Sequence, residues 1–486
     1  MTGGFARYHR PVSSYDRLSA LDASFLHLET LETPMHVGAL AIFEGAPFLD
    51  PSGRFRLAAV RSRIAARLHQ LPKLRRRLMG VTLDQGRPIW VDDQRFDINY
   101  HVRLTAVPRP GTRDQLLALT GRIQSQLLDR SRPLWELWFV EGLEEGRVAL
   151  VQKTHHAMID GVSGVDVATV LLDLEPDAEV PEPPAWLPRP PPTPARLLAD
   201  SLVERTTEPT EIARSVRGLA RTPRRAADET IRLARAVRSI VADSPLAPRT
   251  SFNVPIGRAR RFTGVTVPLD AVAEIRREWG GTVNDVVLAI VAGALRRRLV
   301  ARGEDLPVSM RVLCPVSVRD DHERMQLGNR ISALFVDLPI AESDPFARLE
   351  TITMHTRALK ESDQTAVGTT LFDLGEFAAP NVLGLAARLV QHQPFVNLVV
   401  TNVPGPPIPL YCMGAEMLEA YPMVPLSRNL SLGVAILSYC GLLHIGLLAG
   451  ADAWPDLRDL AADFDAAAAE LGQTAAPLDD QREATA

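Results

Sequence analysis

Arg147-Val148-Ala149-Leu150-Val151-Gln152-Lys153-Thr154-His155-His156-Ala157-Met158-Ile159-Asp160-Gly161 is the stretch on which the reading of this chain turns. Its first part, up to Thr154, has the apolar, β-branched make-up of a strand. Trp135 to Glu141 reads as its partner across the turn Leu143-Glu144-Glu145-Gly146. Successive strand residues point to opposite faces, so at most one of His155 and His156 faces a given cavity while strand geometry lasts. One imidazole then does chemistry while its neighbour packs or hydrogen-bonds. With an ordinary pKa of about 6.5, a neutral imidazole suits a general base near neutral pH. Asp160 can either hold an imidazole's tautomer or pair with an arginine and fix the loop. Gly161, with Ser163 and Gly164, permits a tight strand-to-helix turn and close approach of backbone to a ligand. The spacing is wrong for zinc: there are no histidines at i and i+4, no adjacent glutamate and no third ligand nearby.

Working outward, 486 residues exceed one ordinary core and suit two domains. A net charge of −4 excludes a molecule-wide nucleic-acid-binding field. Upstream, residues 18–30 predict a short helix and 35–43 a strand. Leu57, Val60, Ile64 and Leu68 form one helical stripe, and 114–129 predicts a further helix. Residues 162–174 read as a packed helix. Nine prolines then fall between Pro176 and Pro194, too many for a helix or a central strand, so an extended, semi-rigid connector is expected. It leads into an Arg-rich helical segment, 195–242, which reads either as a solvated helix or as a basic amphipathic surface for anionic lipid, the former preferred.

Strand and helix patterns resume in the second half. Strands are expected at 264–268, 308–316, 331–339, 396–401, 430–437 and 442–448, with helices ending at Trp279 and spanning 284–299 and 345–360. Residues 430–449 lack formal charge, but Ser438-Tyr439-Cys440-Gly441 is turn chemistry, which favours two strands over one membrane span. Three widely spaced cysteines, Cys314, Cys412 and Cys440, suggest buried thiols in a reducing compartment. Strands mixed with helices in both halves give an α/β protein with a mixed sheet in each half. The expected organisation is an N-terminal lobe at 1–175, a connector with Arg-rich segment at 176–248, a C-terminal lobe at 249–470 and a disordered tail at 471–486.

His155-His156-Ala157-Met158-Ile159-Asp160-Gly161 resembles the HHxxxDG signature of CoA-dependent acyltransferases, a superfamily that includes chloramphenicol acetyltransferase-like enzymes and nonribosomal condensation domains. Other short elements, in order, make the chain similar to one branch, the bacterial wax ester synthase/acyl-CoA:diacylglycerol acyltransferase family. They are Leu18-Ser19-Ala20-Leu21-Asp22, Pro34-Met35-His36-Val37-Gly38, Pro133-Leu134-Trp135, Asn253-Val254-Pro255-Ile256-Gly257, Asn284-Asp285, Cys314-Pro315-Val316-Ser317-Val318-Arg319, Gly328-Asn329 and Thr401-Asn402-Val403-Pro404-Gly405-Pro406. The similarity runs from about residue 15 to 470, and Gly450 departs from it where members often carry Asp.

The resemblance implies two chloramphenicol acetyltransferase-like lobes meeting at a channel, with acyl-CoA entering from one side and the acceptor from the other. It implies His156 as general base, Asp160 in orientation and loop geometry, and an active-site role for Asn284. His155, Gly161 and Asp285 complete the two motifs, although Asn284 and Asp285 also read as ordinary helix caps. Pro133, Leu134 and Trp135 read as core, with Trp135 expected as channel wall and support for His156. His36 and His101 read as structural. The implied reaction esterifies diacylglycerol or a fatty alcohol, with acyl-CoA as co-substrate and neither metal nor resident cofactor. Alternatives are transfer to a polar or carrier-bound acceptor, and a silent lipid-binding relative. With no signal peptide and no convincing span, the expected location is the cytoplasm, with peripheral contact to membrane or lipid droplet and no nucleic-acid partner.

Overall fold

The computed structural model describes residues 16–82, 86–158, 168, 170–180, 182–207, 246–317, 331–361 and 393–473. The elements of the first half are β1 (Asp16–Arg17), α1 (Ala20–Leu28), β2 (His36–Phe43), α2 (Leu57–Arg67), β3 (Arg76–Met79), β4 (Ile89–Asp92), α3 (Ile98–His101), β5 (Val102–Ala106), α4 (Arg113–Gln124), β6 (Trp135–Glu141) and β7 (Val148–His155). A helix α5 (Pro194–Thr207) follows the proline run. The second half contains β8 (Arg260–Pro268), α6 (Leu269–Trp279), α7 (Val283–Ala301), β9 (Met310–Ser317), β10 (Ile331–Leu338), α8 (Pro345–Glu361), β11 (Leu398–Pro404), β12 (Tyr411–Cys412), β13 (Ala415–Met423), β14 (Leu432–Tyr439), β15 (Leu442–Gly450) and α9 (Leu457–Gln473).

Two six-stranded sheets organise the molecule, in the orders β12-β13-β2-β7-β6-β5 and β10-β9-β11-β14-β15-β8. Both are mixed, as expected. In the first, only β5 and β6 run parallel. In the second, β11 runs parallel to both β9 and β14, and the other pairs are antiparallel. The strands of the first sheet are apolar on both faces because both faces are covered. Ala41, Phe43, Leu137, Phe139, Val148 and Leu150 pack against Val60 and Ile64 of α2. On the opposite face Leu40, Ile42, Val140, Ala149 and Val151 meet Leu116, Leu117 and Ile123 of α4, together with Phe262 and Leu448 of the second sheet. At that seam α4 lies tight on β8. A side-chain carbon on Gly121 would stand 2.5 Å from the Arg260 carbonyl oxygen, so the close approach needs glycine.

The second lobe is built round α7, whose residues are buried on all sides from Asp285 to Leu295. A helix apolar all round belongs in a core. It packs with the second sheet and the flanking helices in one cluster that includes Val272, Ile275, Leu349, Ile352, Leu460 and Phe464.

Several expectations need correction. The lobes are not separable at residue 249, because β12 and β13 belong to the first lobe's sheet. Met423 pairs with Gly38 and Tyr421 with Leu40. Strand β5 and the small sheet β1-β4-β3 also escaped the sequence reading. The apolar stretch 430–449, by contrast, is the pair of strands expected, the hairpin β14–β15 turning at Cys440 and Gly441 with φ of 45° and 78°. No helix among the described residues is long and apolar enough to cross a membrane. The proline-rich connector is strapped down along its length: Arg63 Nη2 donates to the Ala178 carbonyl at 2.6 Å, the Arg75 guanidinium lies 4.4 Å from the centre of the Trp186 ring, and the Arg189 N–H donates to Asp92 at 2.9 Å. Helix α9 runs to Gln473, past the expected start of the tail. Cys314 and Cys412 are buried, whereas Cys440 is exposed. The Arg-rich stretch 208–245, most of the helix expected at 162–174, Val318-Arg319 and Gly328-Asn329 lie outside the described residues.

Candidate active site

Strand β7 ends at His155, and His156–Met158 form a single 3₁₀ turn directly after it. The two histidines are tied to different neighbours through their backbones. His155 N–H donates to the Leu134 carbonyl at 2.9 Å, and His156 N–H donates to the Met35 carbonyl at 2.8 Å. Alternation then separates the side chains. His155 is fully buried, whereas His156 is half-buried.

The His156 ring stacks on Phe25 of α1, with centroids 3.8 Å apart and planes 21° from parallel. No other described residue hydrogen-bonds either ring nitrogen. Burial, followed by the proximity of His155, pushes this imidazole down to about 4, so it is neutral at physiological pH. An uncharged imidazole can accept a proton.

His155 is held in a different way. The Ala157 N–H donates to its Nδ1 at 3.0 Å, which requires that nitrogen to be bare. Its Nε2 lies 3.4 Å from Glu29 Oε1. The antiparallel register of β2 and β7 sets His36 directly opposite His155, and His36 Nε2 lies 3.2 Å from the same carboxylate oxygen. Burial pushes His36 down to about 4. Glu29 is itself buried, and burial alone would raise its carboxyl; contacts with His155 and His36 instead carry it well below the carboxylate range.

The Pro133-Leu134-Trp135 element contributes backbone and core. Leu134 supplies the carbonyl that holds His155. Trp135 is 2% exposed, donates its indole N–H to the Leu74 carbonyl at 2.7 Å and stacks on His101 at 4.4 Å. It is therefore a core residue beneath the end of β7, and the expectation of a channel wall gives way to that.

Asn284 and Asp285 sit at the start of α7 and divide the work. Asp285, 2% exposed, closes a capping box. Its carboxylate accepts from the Thr282 N–H and hydroxyl, both at 2.8 Å, and from the Thr356 hydroxyl at 2.7 Å. That role is structural. Asn284 is half-buried, and its Oδ1 receives a long hydrogen bond, 3.5 Å, from Asn402 Nδ2 at the end of β11. Two motifs far apart in the chain, Asn284-Asp285 and the 401–406 run, are thus brought together. No hydrogen bond or ring contact among the described residues joins His156 to Asn284. Asp160 and Gly161 lie outside the described residues.

Glu29, His36, Phe25 and Asn402 are the residues whose role the sequence reading missed. His36 gains its place from register, since two eight-residue strands paired antiparallel bring the first residue of one opposite the last of the other. A groove of about 390 Å³ between β8, α6, α7 and α9 is lined by Val272, Ile275, Ile290 and Asp465, and by none of the residues above. Among the described residues no cluster of histidine, cysteine and acidic side chains has the make-up of a metal site.

Comparison with known proteins fits this arrangement. The wax ester synthase/diacylglycerol acyltransferase catalytic domain matches residues 18–287, and the WS/DGAT C-terminal domain matches residues 327–472. The chain is 33% identical over 473 residues to the probable diacylglycerol O-acyltransferase tgs1 of Mycobacterium tuberculosis H37Rv, covering 94% of this chain and 96% of that protein. It is 34% identical over 471 residues to the probable diacylglycerol O-acyltransferase tgs2 of the same strain, covering 94% and 99%. The wax ester synthase/diacylglycerol acyltransferase of Marinobacter aquaeolei VT8 superposes with a TM-score of 0.64 at 27% identity, covering 95% of this chain and 100% of that one. The first condensation domain of the calcium-dependent antibiotic synthetase shares the fold alone, with a TM-score of 0.57 at 16% identity over 95% of this chain and 96% of that one. The chain is an acyltransferase of lipid metabolism, and it belongs to the wax ester synthase/diacylglycerol acyltransferase family.

Proposed function

We propose that this protein transfers a fatty acyl group from coenzyme A to the hydroxyl of a lipid alcohol, diacylglycerol or a long-chain alcohol, with His156 as general base. The observation that carries the reading is the state of one ring: His156 is half-buried, neutral at pH 7 and not hydrogen-bonded to any other described residue.

In this mechanism the acceptor oxygen attacks the thioester carbonyl while His156 takes the hydroxyl proton. A conjugate acid near 4 makes a weak base for a free alcohol. It suffices when proton transfer accompanies attack, because the attacking oxygen becomes acidic as its bond to carbon forms. The tetrahedral intermediate carries an oxyanion that fixed donors must stabilise, commonly the largest single contribution to such catalysis. Asn402 points its N–H at Asn284 Oδ1, and the Asn284 amide N–H pair, which has no hydrogen bond among the described residues, is the donor assigned to that role. The intermediate then collapses, the carbon–sulfur bond breaks, and His156 returns its proton to the CoA sulfur. His156 ends as it began, and no acyl-enzyme is required.

Asp160 is assigned to the geometry of the loop after His156, and a lipid alcohol as acceptor agrees with relatives named as diacylglycerol acyltransferases and a wax ester synthase. Release of free CoA from palmitoyl-CoA, measured with hexadecanol and with dioleoylglycerol, tests the reading. Turnover with either alcohol that disappears in His156→Ala supports it, and the ratio of the two rates assigns the acceptor. Undiminished turnover by His156→Ala, or CoA release only with a polar or carrier-bound acceptor, refutes it.

A further inference from the structure

The base reading leaves a buried cluster behind His156 without a stated purpose. Glu29 ends α1, with its backbone N–H still bonded to the Phe25 carbonyl at 3.1 Å. Its side chain is 3% exposed. Oε2 accepts from both Nε and Nη2 of Arg130, at 3.1 and 2.8 Å. Oε1 accepts from the Met35 N–H at 3.3 Å and stands beside Nε2 of His36 and of His155. A carboxylate so enclosed is expensive to keep ionised unless partners compensate it. Arg130 supplies the charge, and the two histidines surround the remaining oxygen.

The consequence lies in protons. Nδ1 of His155 must be bare to accept the Ala157 N–H, so a neutral His155 carries its proton on Nε2, the nitrogen beside Glu29. A negative oxygen at that point favours this tautomer and disfavours the other. The Ala157 N–H belongs to the turn that presents His156. The same carboxylate also grips both sides of the His156 ring's setting. It binds the Met35 N–H, whose residue's carbonyl receives the His156 N–H. It also anchors Arg130, which donates to the Leu26 carbonyl at 2.8 Å, next to the Phe25 that stacks on His156.

The geometry points to Glu29 as a positioning residue for acyl transfer: it fixes the Nε2–H tautomer of His155, and through the His155–Ala157 hydrogen bond it holds His156 where the acceptor hydroxyl arrives. This deepens the reading of His156 as base and rests on it. Glu29 touches no substrate and acts through its neighbour. A carboxylate that merely held the fold together would change stability and activity in step. A tautomer-setting carboxylate changes turnover and the state of one ring.

The test uses the full chain with 15N-labelled histidine, its His155 resonances assigned by their loss in His155→Asn. Long-range 15N–1H spectra distinguish a ring protonated on Nε2 from one protonated on Nδ1. The wild-type protein is expected to show His155 in the Nε2–H form. In Glu29→Gln, which keeps the shape but can offer either an oxygen or an N–H, a mixture of forms is expected. Its kcat should fall on the order of tenfold, with KM for palmitoyl-CoA and for the alcohol within about twofold. In a His155→Asn background the same substitution should cause no further loss, because the intermediary is gone. Glu29→Asp, which restores charge at shorter reach, should recover part of the Gln variant's loss.

An unchanged His155 tautomer in Glu29→Gln, losses that multiply in the double variant, or an Asp variant no better than the Gln variant would each overturn the proposal. Should Glu29→Gln fail to fold, the Glu29→Asp protein carries the tautomer measurement alone, and a His155 not in the Nε2–H form there is equally fatal. The spectra read His155 whether or not His156 is the base, so failure of the base reading, seen as turnover surviving His156→Ala, is a separate result.

Discussion

The end of β7 and the start of α7 each offer two adjacent polar residues, and in each place one residue is consumed by structure while its neighbour is left available. At the strand end His155 is fully buried, with Nδ1 accepting from the Ala157 N–H and Nε2 facing Glu29, while the half-buried His156 stacks on Phe25. At the helix start Asp285 accepts three hydrogen bonds from Thr282 and Thr356, while Asn284 receives one long one. The geometry behind the division differs. In the strand it is two-fold alternation, ended by a 3₁₀ turn; in the helix it is the capping box, which claims the third helical residue and leaves the second. A dyad in a motif is therefore not two catalytic residues. One member is the price of placing the other.

The comparison can be broken most sharply at the strand. His156→Ala should lower kcat on the order of 10³-fold with KM values little changed, as expected for loss of a general base. A loss below about tenfold in CoA release would remove His156 from the chemistry. At the helix, Asn284→Ala should lower kcat by about 10²-fold, the scale of a lost oxyanion donor, with the thermal midpoint within about 2 °C of wild type. Asp285→Ala should show the reverse pattern. It removes a cap and the shorter of the two hydrogen bonds of the Thr356 hydroxyl, for a loss of about 2 kcal/mol in urea unfolding, while surviving folded protein keeps near-normal kcat. If Asn284→Ala destabilises and Asp285→Ala silences the folded enzyme, the assignments at α7 are inverted.

The smallest effect is an absence. A base must be unprotonated, and His156 with a conjugate acid near 4 stays so down to about pH 5. The pH profile of kcat/KM should therefore run flat from pH 8 to about 5 and decline only as pH approaches 4. An ordinary histidine, with a pKa near 6.5, would already have lost about nine-tenths of its activity at pH 5.5. A decline centred near 6.5 would mean that the ring is better hydrated than its contacts with Phe25 and the turn imply.

Much of this arrangement was legible in the sequence, and the parts that were not share a physical cause. The strand before His155, the hairpin at Cys440-Gly441 and the helix after Thr282 are local: periodicity, turn chemistry and caps are written within a dozen residues of each. Glu29 and His36 were passed over because their significance is a matter of register. Nothing near His36 says that it will face His155, and nothing near Glu29 says that Arg130, about a hundred residues later, will neutralise it. The Asn284–Asn402 contact was hidden for the same reason, although both motifs had been picked out singly. Residues 415–423 were harder still. Ala-Glu-Met-Leu-Glu-Ala-Tyr-Pro-Met contains two acids and a proline, a poor advertisement for an interior strand, and only its partner β2 explains it.

That strand bears on how the protein comes into being. Residues 38–43 and 417–423 are neighbours in one sheet, yet about 380 positions separate them along the chain. During synthesis β2 emerges early and waits, one flank bare of its hydrogen-bonding neighbour, until residues 417–423 have left the ribosome. An unpaired flank invites foreign strands, so nascent chains of this protein are candidates for chaperone protection, and a truncation at the proline connector should yield aggregates instead of a free-standing half.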